Sequence, residues 1–496
     1  MTSLVLSSDQ VANQAIDNRR WRIGGTARRA AIAGAVISAG GLVMPAAASA
    51  HGIVGKTDLP IPRWLFAWAA TVVLIASFIG LATLWPAPRL QQVRGRVLTA
   101  LPRLLRPLFS IIGIALFALV LYAGFAGEQE LPTANITPTF IFVLFWVGLP
   151  FASLLGDVFR AFNPWLGIGL AVRWVARRTL GADRLPRSRT YPSWLGRWPT
   201  VAGILGFAWL ELVYVDKDRP SALAILSLGY AAVQWAGMAT FGIDTWEARG
   251  DSFSVYLNLF ARVSPLRWRR DRLESRPWLS GLPVLAPAAG TVALLATMIG
   301  STSFDGLEQG GLWINTLFPE LEGLFSGLGL GATPSAELAS TVGLLGMIGL
   351  IGGVYRLGIR GMHSIDPRTP SGVLAGRFAH TLVPIALAYV AAHYWSLLVY
   401  QTQAAVYLVS DPLGNGSNIF GTAHVQINYS VLSPNSIWYF QVAALLIGHV
   451  AGLALAHDRA LALYPNPRDA VRSQYWMLVV MVFFTSLGLW LLSAAS

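Results

Sequence analysis

Leu108-Phe-Ser-Ile-Ile-Gly-Ile-Ala-Leu-Phe-Ala-Leu-Val-Leu-Tyr-Ala-Gly-Phe-Ala-Gly127 decides the fold of this chain. It is an uncharged stretch of twenty residues, and at about 1.5 Å of rise per residue a helix of that length crosses the roughly 30 Å hydrocarbon core of a bilayer. Arg89, Arg94, Arg96, Arg103 and Arg106 precede it, whereas Glu128 and Glu130 follow it. The same alternation continues along the chain. Arg173, Arg177, Arg178, Arg184, Arg187 and Arg189 mark one later gap, and Arg262, Arg267, Arg269, Arg270, Arg272 and Arg276 another. Asp305, Glu308, Glu320 and Glu322 mark a gap of the opposite kind. Because short cytoplasmic loops retain Arg and Lys, the basic gaps are predicted to face the cytoplasm and the acidic ones to be exported.

Composition agrees. The chain is 54% hydrophobic and 12% charged, with a mean hydropathy of +0.55, which no soluble domain of 496 residues requires. Its net charge of +12 sits in short gaps between apolar runs, where retention and anionic headgroups account for it, so nucleic acid is not a predicted partner. The lipid bilayer is. The chain has no cysteine, which excludes disulfides, thiolate metal sites, iron–sulfur clusters and cysteine nucleophiles.

Apolar segments of spanning length fall at roughly 64–86, 108–127, 137–158, 197–216, 221–242, 280–300, 338–358, 378–401, 436–457 and 473–494. The predicted fold is therefore all-α: a polytopic integral membrane helical bundle of about ten spans, forming one domain over residues 51–496. Residues 1–50 read as a signal segment, in which Arg19, Arg20, Arg22, Arg28 and Arg29 precede the apolar run Ala30 to Met44 and then Ala48-Ser49-Ala50. Cleavage there would expose His51, and an uncleaved first span is the alternative. An even number of spans then places both mature termini, including Ser496, outside the cytoplasmic membrane.

Three connections exceed plain loops. Apolar stretches at 159–174 and 253–266 are too short to span and are predicted to lie in the membrane interface, with Trp165 and Trp174 at headgroup level. Both follow Gly-Asp-x-Phe, at Gly156-Asp157 and Gly250-Asp251, which suggests an internal repeat even though the likeness stops short of the flanking spans. The exported loop 401–434 carries the turn cluster Ser410-Asp411-Pro412-Leu413-Gly414-Asn415-Gly416 and then His424. It reads equally as a cover over a site and as a connector.

Polar groups inside spans are costly, so they point to chemistry. Tyr389, His393 and Tyr400 share one helical face, and Gln441 and His449 share a face of the next span, so these five are the predicted lining of a pocket. Hydrogen-bonded packing histidines are the plainer interpretation. His380 and His393 are thirteen residues apart, which resembles the axial ligands of two stacked b-type haems, but on the next span only His457 matches in depth, with His380 at the cytoplasmic end, while His449 and His393 do not. A divalent metal is the other candidate cofactor, with His51, His393, His424 and His449 as candidate ligands. Glu211, near the outer end of its span, and Asp157 and Asp244, at inner ends, are candidate proton or ion sites or else snorkelling boundary charges. No phosphate-binding loop, nucleophile elbow, His-Glu-x-x-His helix or Rossmann fingerprint is present.

One resemblance reaches further. His51-Gly-Ile-Val-Gly-Lys-Thr-Asp-Leu-Pro-Ile-Pro-Arg-Trp-Leu-Phe-Ala-Trp68 resembles the mature start of bacterial membrane proteins of the fenitrothion hydrolase group. The likeness continues in Ser410-Asp411-Pro412 and from Gly448-His449-Val450 through His457-Asp458-Arg459, and so covers nearly the whole mature chain. The resemblance implies hydrolysis of a hydrophobic aryl phosphotriester, and it carries no catalytic residues with it. The membrane architecture equally fits a small-molecule permease, and the histidines a haem- or copper-binding electron-transfer subunit.

Overall fold

The computed structural model describes residues 63–494 except 92, 94, 182–186 and 270. The signal segment, its processing site and His51 lie outside the described residues. The chain forms α1 (Arg63–Leu84), β1 (Arg96–Ala100), α2 (Leu105–Ala126), α3 (Ile136–Leu155), α4 (Val158–Phe162), α5 (Pro164–Leu180), α6 (Trp198–Leu212) and α7 (Pro220–Phe241). Then follow α8 (Ile243–Arg249), α9 (Ser252–Ala261), β2 (Leu266–Trp268), β3 (Arg272–Ser275), α10 (Thr291–Glu308), α11 (Phe318–Gly327) and α12 (Ala332–Ile365). The last elements are α13 (Ser371–Phe378), α14 (Val383–Gln401), α15 (Ala404–Leu408), α16 (Pro434–Leu463) and α17 (Pro467–Ala494).

The protein is a nearly all-α, multi-pass membrane protein. Among the described residues seven helices are long and apolar enough to cross a bilayer: α2, α3, α7, α12, the continuous Ser371–Gln401 segment, α16 and α17. The remaining predicted spans coincide with α1, α6 and α10. The apolar part of α1 (Trp68–Leu84) and α6 are shorter, and α10 carries Asp305 and Glu308. The segment expected at 280–300 in fact begins at Thr291. Pro283 and Pro287 deny the backbone two N–H donors, and Gly290, at φ 79°, supplies the left-handed step from which the helix starts. That shift of about three turns draws Asp305 out of the predicted exported loop and into the buried length of α10.

Contacts between connections divide them into two sets. β1 pairs antiparallel with β3, and β3 with β2, so the basic gaps around Arg96 and Arg272 share one small sheet. Such a sheet, with open edges, has to lie outside the hydrocarbon. Asp458 joins the same side: its carboxylate accepts from Trp85 Nε1 at 3.1 Å, Arg89 N at 2.5 Å, Leu90 N at 3.2 Å and Gln91 Nε2 at 2.7 Å. Neighbouring His457 lies 3.1 Å from Trp85 O. On the other side, Glu128 N and Ile136 N donate to Leu413 O and Pro412 O, Ser221 N donates to Gln129, and Val215 N donates to Glu337. The dense turn cluster at 410–416 is thus anchored to the α2–α3 connection.

The two Gly-Asp-x-Phe motifs meet. Asn258 donates to Asp157 at 2.8 Å, and Asn163 donates to Asp251 at 2.9 Å, so each motif's Asp takes the Asn that follows the other. Asp251 also accepts from Trp165 Nε1 (2.8 Å), Ser254 Oγ (2.7 Å) and Tyr230 OH (2.9 Å). With Ser254 N at 3.3 Å, five donors satisfy a carboxylate that is fully buried. This exchange determines where the short apolar segments go. Trp174 is 58% exposed, as an interfacial ring should be, but Trp165 is buried with its indole on Asp251. α9 is buried against α6 and the end of α3 instead of lying in the interface, because Asp251 at its start has to reach Asn163.

Glu247 lies beside this junction, paired with Arg160 at 2.7 and 2.8 Å. Burial, reinforced by the charges of Asp157, Asp251 and Asp244 and partly offset by Arg160, pushes its carboxyl up to about 7 from 4.5. The folded state therefore holds this proton more tightly than the unfolded chain does. The stability it contributes is full below about 4.5 and is lost as pH rises through about 7. Thermal midpoints of detergent-solubilised protein should fall across that interval, and Glu247→Gln should flatten the slope. An unchanged slope in the variant would assign the pH dependence to other groups.

Candidate intramembrane acid cluster

α10 is buried along nearly its whole length and rich in small residues. A Cβ added at Gly300 would stand 2.7 Å from Ile348 Cα, so α12 packs directly on the α10 backbone. Its hydroxyls turn back onto their own helix: Thr297 donates to Ala293 O and Ser303 to Ile299 O. That leaves Asp305 as the polar group directed at neighbouring helices. Its Oδ2 lies 2.9 Å from His393 Nε2 and accepts from Tyr394 OH at 2.8 Å, both on α14. Gln309, one turn on, donates to Oδ1 at 3.1 Å.

The same Tyr394 hydroxyl lies 3.3 Å from Glu211 Oε1, at the end of α6. One phenol thus faces two carboxylates from two helices, and it has one proton to donate. The Trp146 indole lies beside Glu211 and stacks on Tyr256 with ring centroids 5.2 Å apart. Lys217, in the loop after α6, and Glu308 are near enough to act electrostatically on the pair. Asp305 and Tyr394 are 2% and 3% exposed, so bulk water screens neither. A Cβ at Gly306 would touch the His393 ring at 3.8 Å, and that proximity keeps the imidazole against α10.

The five predicted pocket residues part company here. Tyr389 and His449 meet, with ring centroids 6.0 Å apart. The Tyr389 hydroxyl donates to Phe484 O on α17, and His449 Nδ1 lies 2.6 Å from Leu445 O. Tyr400 donates to Leu432 O at 3.1 Å, and Gln441 is buried on α16. His393 faces α10 instead. Four residues advance a helix by about 40° beyond a full turn, enough to move it from the groove facing α16 and α17 into the groove facing α10. Among the candidate metal ligands, His424 is exposed in the loop that follows α15, whereas the His393 ring lies against Asp305. Among the described residues no three His, Asp or Glu side chains converge as a metal site. His380, the other histidine at haem spacing, lies with Nδ1 3.0 Å from Arg377 O.

Asp305 was the residue that hydropathy missed. The signal was available in Gly281, Pro283, Pro287 and Gly290, which make 281–290 a poor helix interior. Glu211 was legible as an intramembrane carboxylate.

A separate cavity of about 830 Å³ lies between α2, α3, α6 and α7. No charged side chain lines it, and Phe207 on its wall packs 4.6 Å from Trp146. The cavity and the acid cluster therefore stand on opposite sides of one aromatic pair. No protein-family model, curated protein or solved structure matches this chain.

His393→Phe removes the imidazole from Asp305 and should cost about 3 kcal/mol or more, since an intramembrane carboxylate loses the side chain in direct contact with it. Adding Asp305→Asn should recover part of that loss. Unfolding midpoints for the two single variants and the double variant measure the coupling, and strict additivity would mean that the pair carries no mutual energy.

Proposed function

We propose that this protein is a permease of the bacterial cytoplasmic membrane that couples movement of a lipophilic small molecule to a proton exchanged at Glu211, Tyr394, Asp305 and His393. The carrying observation is the single Tyr394 hydroxyl between two intramembrane carboxylates. Two negative charges so placed repel each other strongly in a poorly screened interior, and the imidazole in direct contact balances one of them only when it carries a proton. Uptake of a proton balances the other, and a hydroxyl between the two oxygens offers it a short route. Intramembrane carboxylates of this kind are commonly parts of proton relays. The uncharged cavity across Phe207 and Trp146 has the size and lining expected for a neutral lipophile.

Purified protein in vesicles loaded with a pH-sensitive dye should dissipate an imposed pH gradient faster than empty vesicles when a lipophilic substrate is added. Asp305→Asn and Glu211→Gln should abolish that increment, and retention of it by both variants would remove the cluster from the mechanism.

Hydrolysis of an aryl phosphotriester, the activity implied by resemblance to the fenitrothion hydrolases, is the second reading, and the His393–Asp305 contact favours it. A carboxylate holding one ring nitrogen leaves the other as a base toward water. Release of a nitrophenol by the same vesicles, lost in His393→Phe, would select it.

For the topology we propose ten crossings, with the basic loops cytoplasmic and the loop 401–434 exported. The shared sheet of the two basic gaps supports this arrangement, as does the hydrogen bonding between connections on the other side. Since the chain has no cysteine, single cysteines can be introduced without first removing any. In intact cells an impermeant maleimide should label Asn415→Cys and spare Arg177→Cys, and the reverse pattern would invert the orientation.

A further inference from the structure

A cleft of about 310 Å³ opens where the starts of α10 and α13 meet the last third of α12, on the same side as the basic loops. Arg356 and Arg360 line it from one face of α12, a single turn apart. Both are exposed, and among the described residues neither enters an ion pair. No Asp or Glu is part of the lining.

The backbone adds to this charge. Neither Gly290, before α10, nor Pro370, before α13, supplies a side-chain cap. The amides of Val292 and Ala293 at one start and of Ser371 and Gly372 at the other are therefore first-turn donors without an intrahelical acceptor, and all four residues line the cleft. A separate observation points the same way. Behind the α10 start lies Arg197, whose side chain donates to Thr291 Oγ1 at 2.5 Å and to Ala286 O at 3.4 Å. It is 9% exposed, and both of those acceptors are neutral, so its charge is uncompensated by any carboxylate among the described residues. Burying a guanidinium without a counter-charge is costly, and an anion seated against the same helix start would offset that cost.

We infer that this cleft binds a phosphate-type oxyanion, held by the two arginines and the exposed amides of both helix starts. Guanidinium pairs and free helix amides both match the several acceptor oxygens of a phosphate group. The same chemistry is presented by an anionic phospholipid headgroup and by free phosphate. The height of the cleft, at the membrane-boundary end of α12, suits the former.

The test uses full-length protein stripped of lipid in neutral detergent. Native mass spectrometry reads retention of phosphatidylglycerol against phosphatidylcholine. Thermal stability is read with inorganic phosphate against chloride at equal ionic strength. In the Arg356→Gln/Arg360→Gln double variant, binding of the responsive probe should weaken at least about tenfold. Gly372→Asp gives a second measure, because a Cβ there meets no atom within 4 Å. An acidic residue in the first turn favours the helix while repelling an anion, so stability should hold as binding falls. Arg178→Gln, on the exposed end of α5, should leave binding unchanged.

Retention of phosphatidylglycerol without a phosphate response assigns a headgroup, and a phosphate response alone assigns a free phosphate-bearing solute. Each supports the site provided that both cleft variants lose it. If neither probe binds, or if binding survives both variants, the cleft is not an anion site.

Discussion

Burying a carboxylate in a helical bundle requires donors, and in this protein the search for donors determines which helices touch. Asp251 gathers Asn163, Trp165, Tyr230 and Ser254, and so fixes α4, α5, α7 and α9 around one point. Asp458 gathers the backbone and side chains of residues 85–91, and so fixes α16 to the end of α1. Apolar packing between membrane helices is weakly directional, since lipid tails compete for the same surfaces. The carboxylates supply direction. A helix slid by one turn past its neighbour would strand these groups, at a cost of several kcal/mol each.

That distinction explains what was legible in the sequence. Spans such as 108–127 announce themselves through length and apolarity, and the distribution of arginines predicts which gaps belong together. The sheet that joins residues near Arg96 to those near Arg272 could not be read in the same way, because strands of three to five residues in loops carry no periodicity worth the name. The Gly-Asp-x-Phe repeat was visible as a spacing. Its meaning, the exchange of Asn163 and Asn258, depends on the two motifs meeting in space. The predicted pocket shows the same limit at the level of one helix. Helical phase puts Tyr389 and His393 on one face of α14, yet the partner helix on each side decides which groove each ring enters, and the two rings separate.

Small residues do the complementary work. Gly300 admits α12 against α10, and Gly448 would clash with Ala388 and Pro384 if it carried a Cβ, so α14 and α16 lie close enough for Tyr389 and His449 to meet. At Gly306 the same economy brings the His393 ring onto α10 beside Asp305. Close approach of backbones therefore places an ionisable group where a larger side chain would have excluded it.

The buried acids differ in a way that separates scaffold from candidate machinery. Asp251 receives five donors and Asp458 four, all of them neutral side-chain groups or backbone amides, and none of these is shared with a second carboxylate. Such a site has its acceptor oxygens satisfied in a single arrangement. Asp305 and Glu211 face the same Tyr394 hydroxyl, which serves one oxygen fully at 2.8 Å and the other at 3.3 Å. Whichever carboxylate holds that hydrogen bond leaves the other less well served, and Asp305 holds it here with His393 and Gln309 beside it. The contacts of this group lie on three different helices, α6, α10 and α14. Under the proposed function, gain or loss of one proton would be converted into a preference for how the three helices pack, which is the physical requirement for coupling an ion to movement across the bundle.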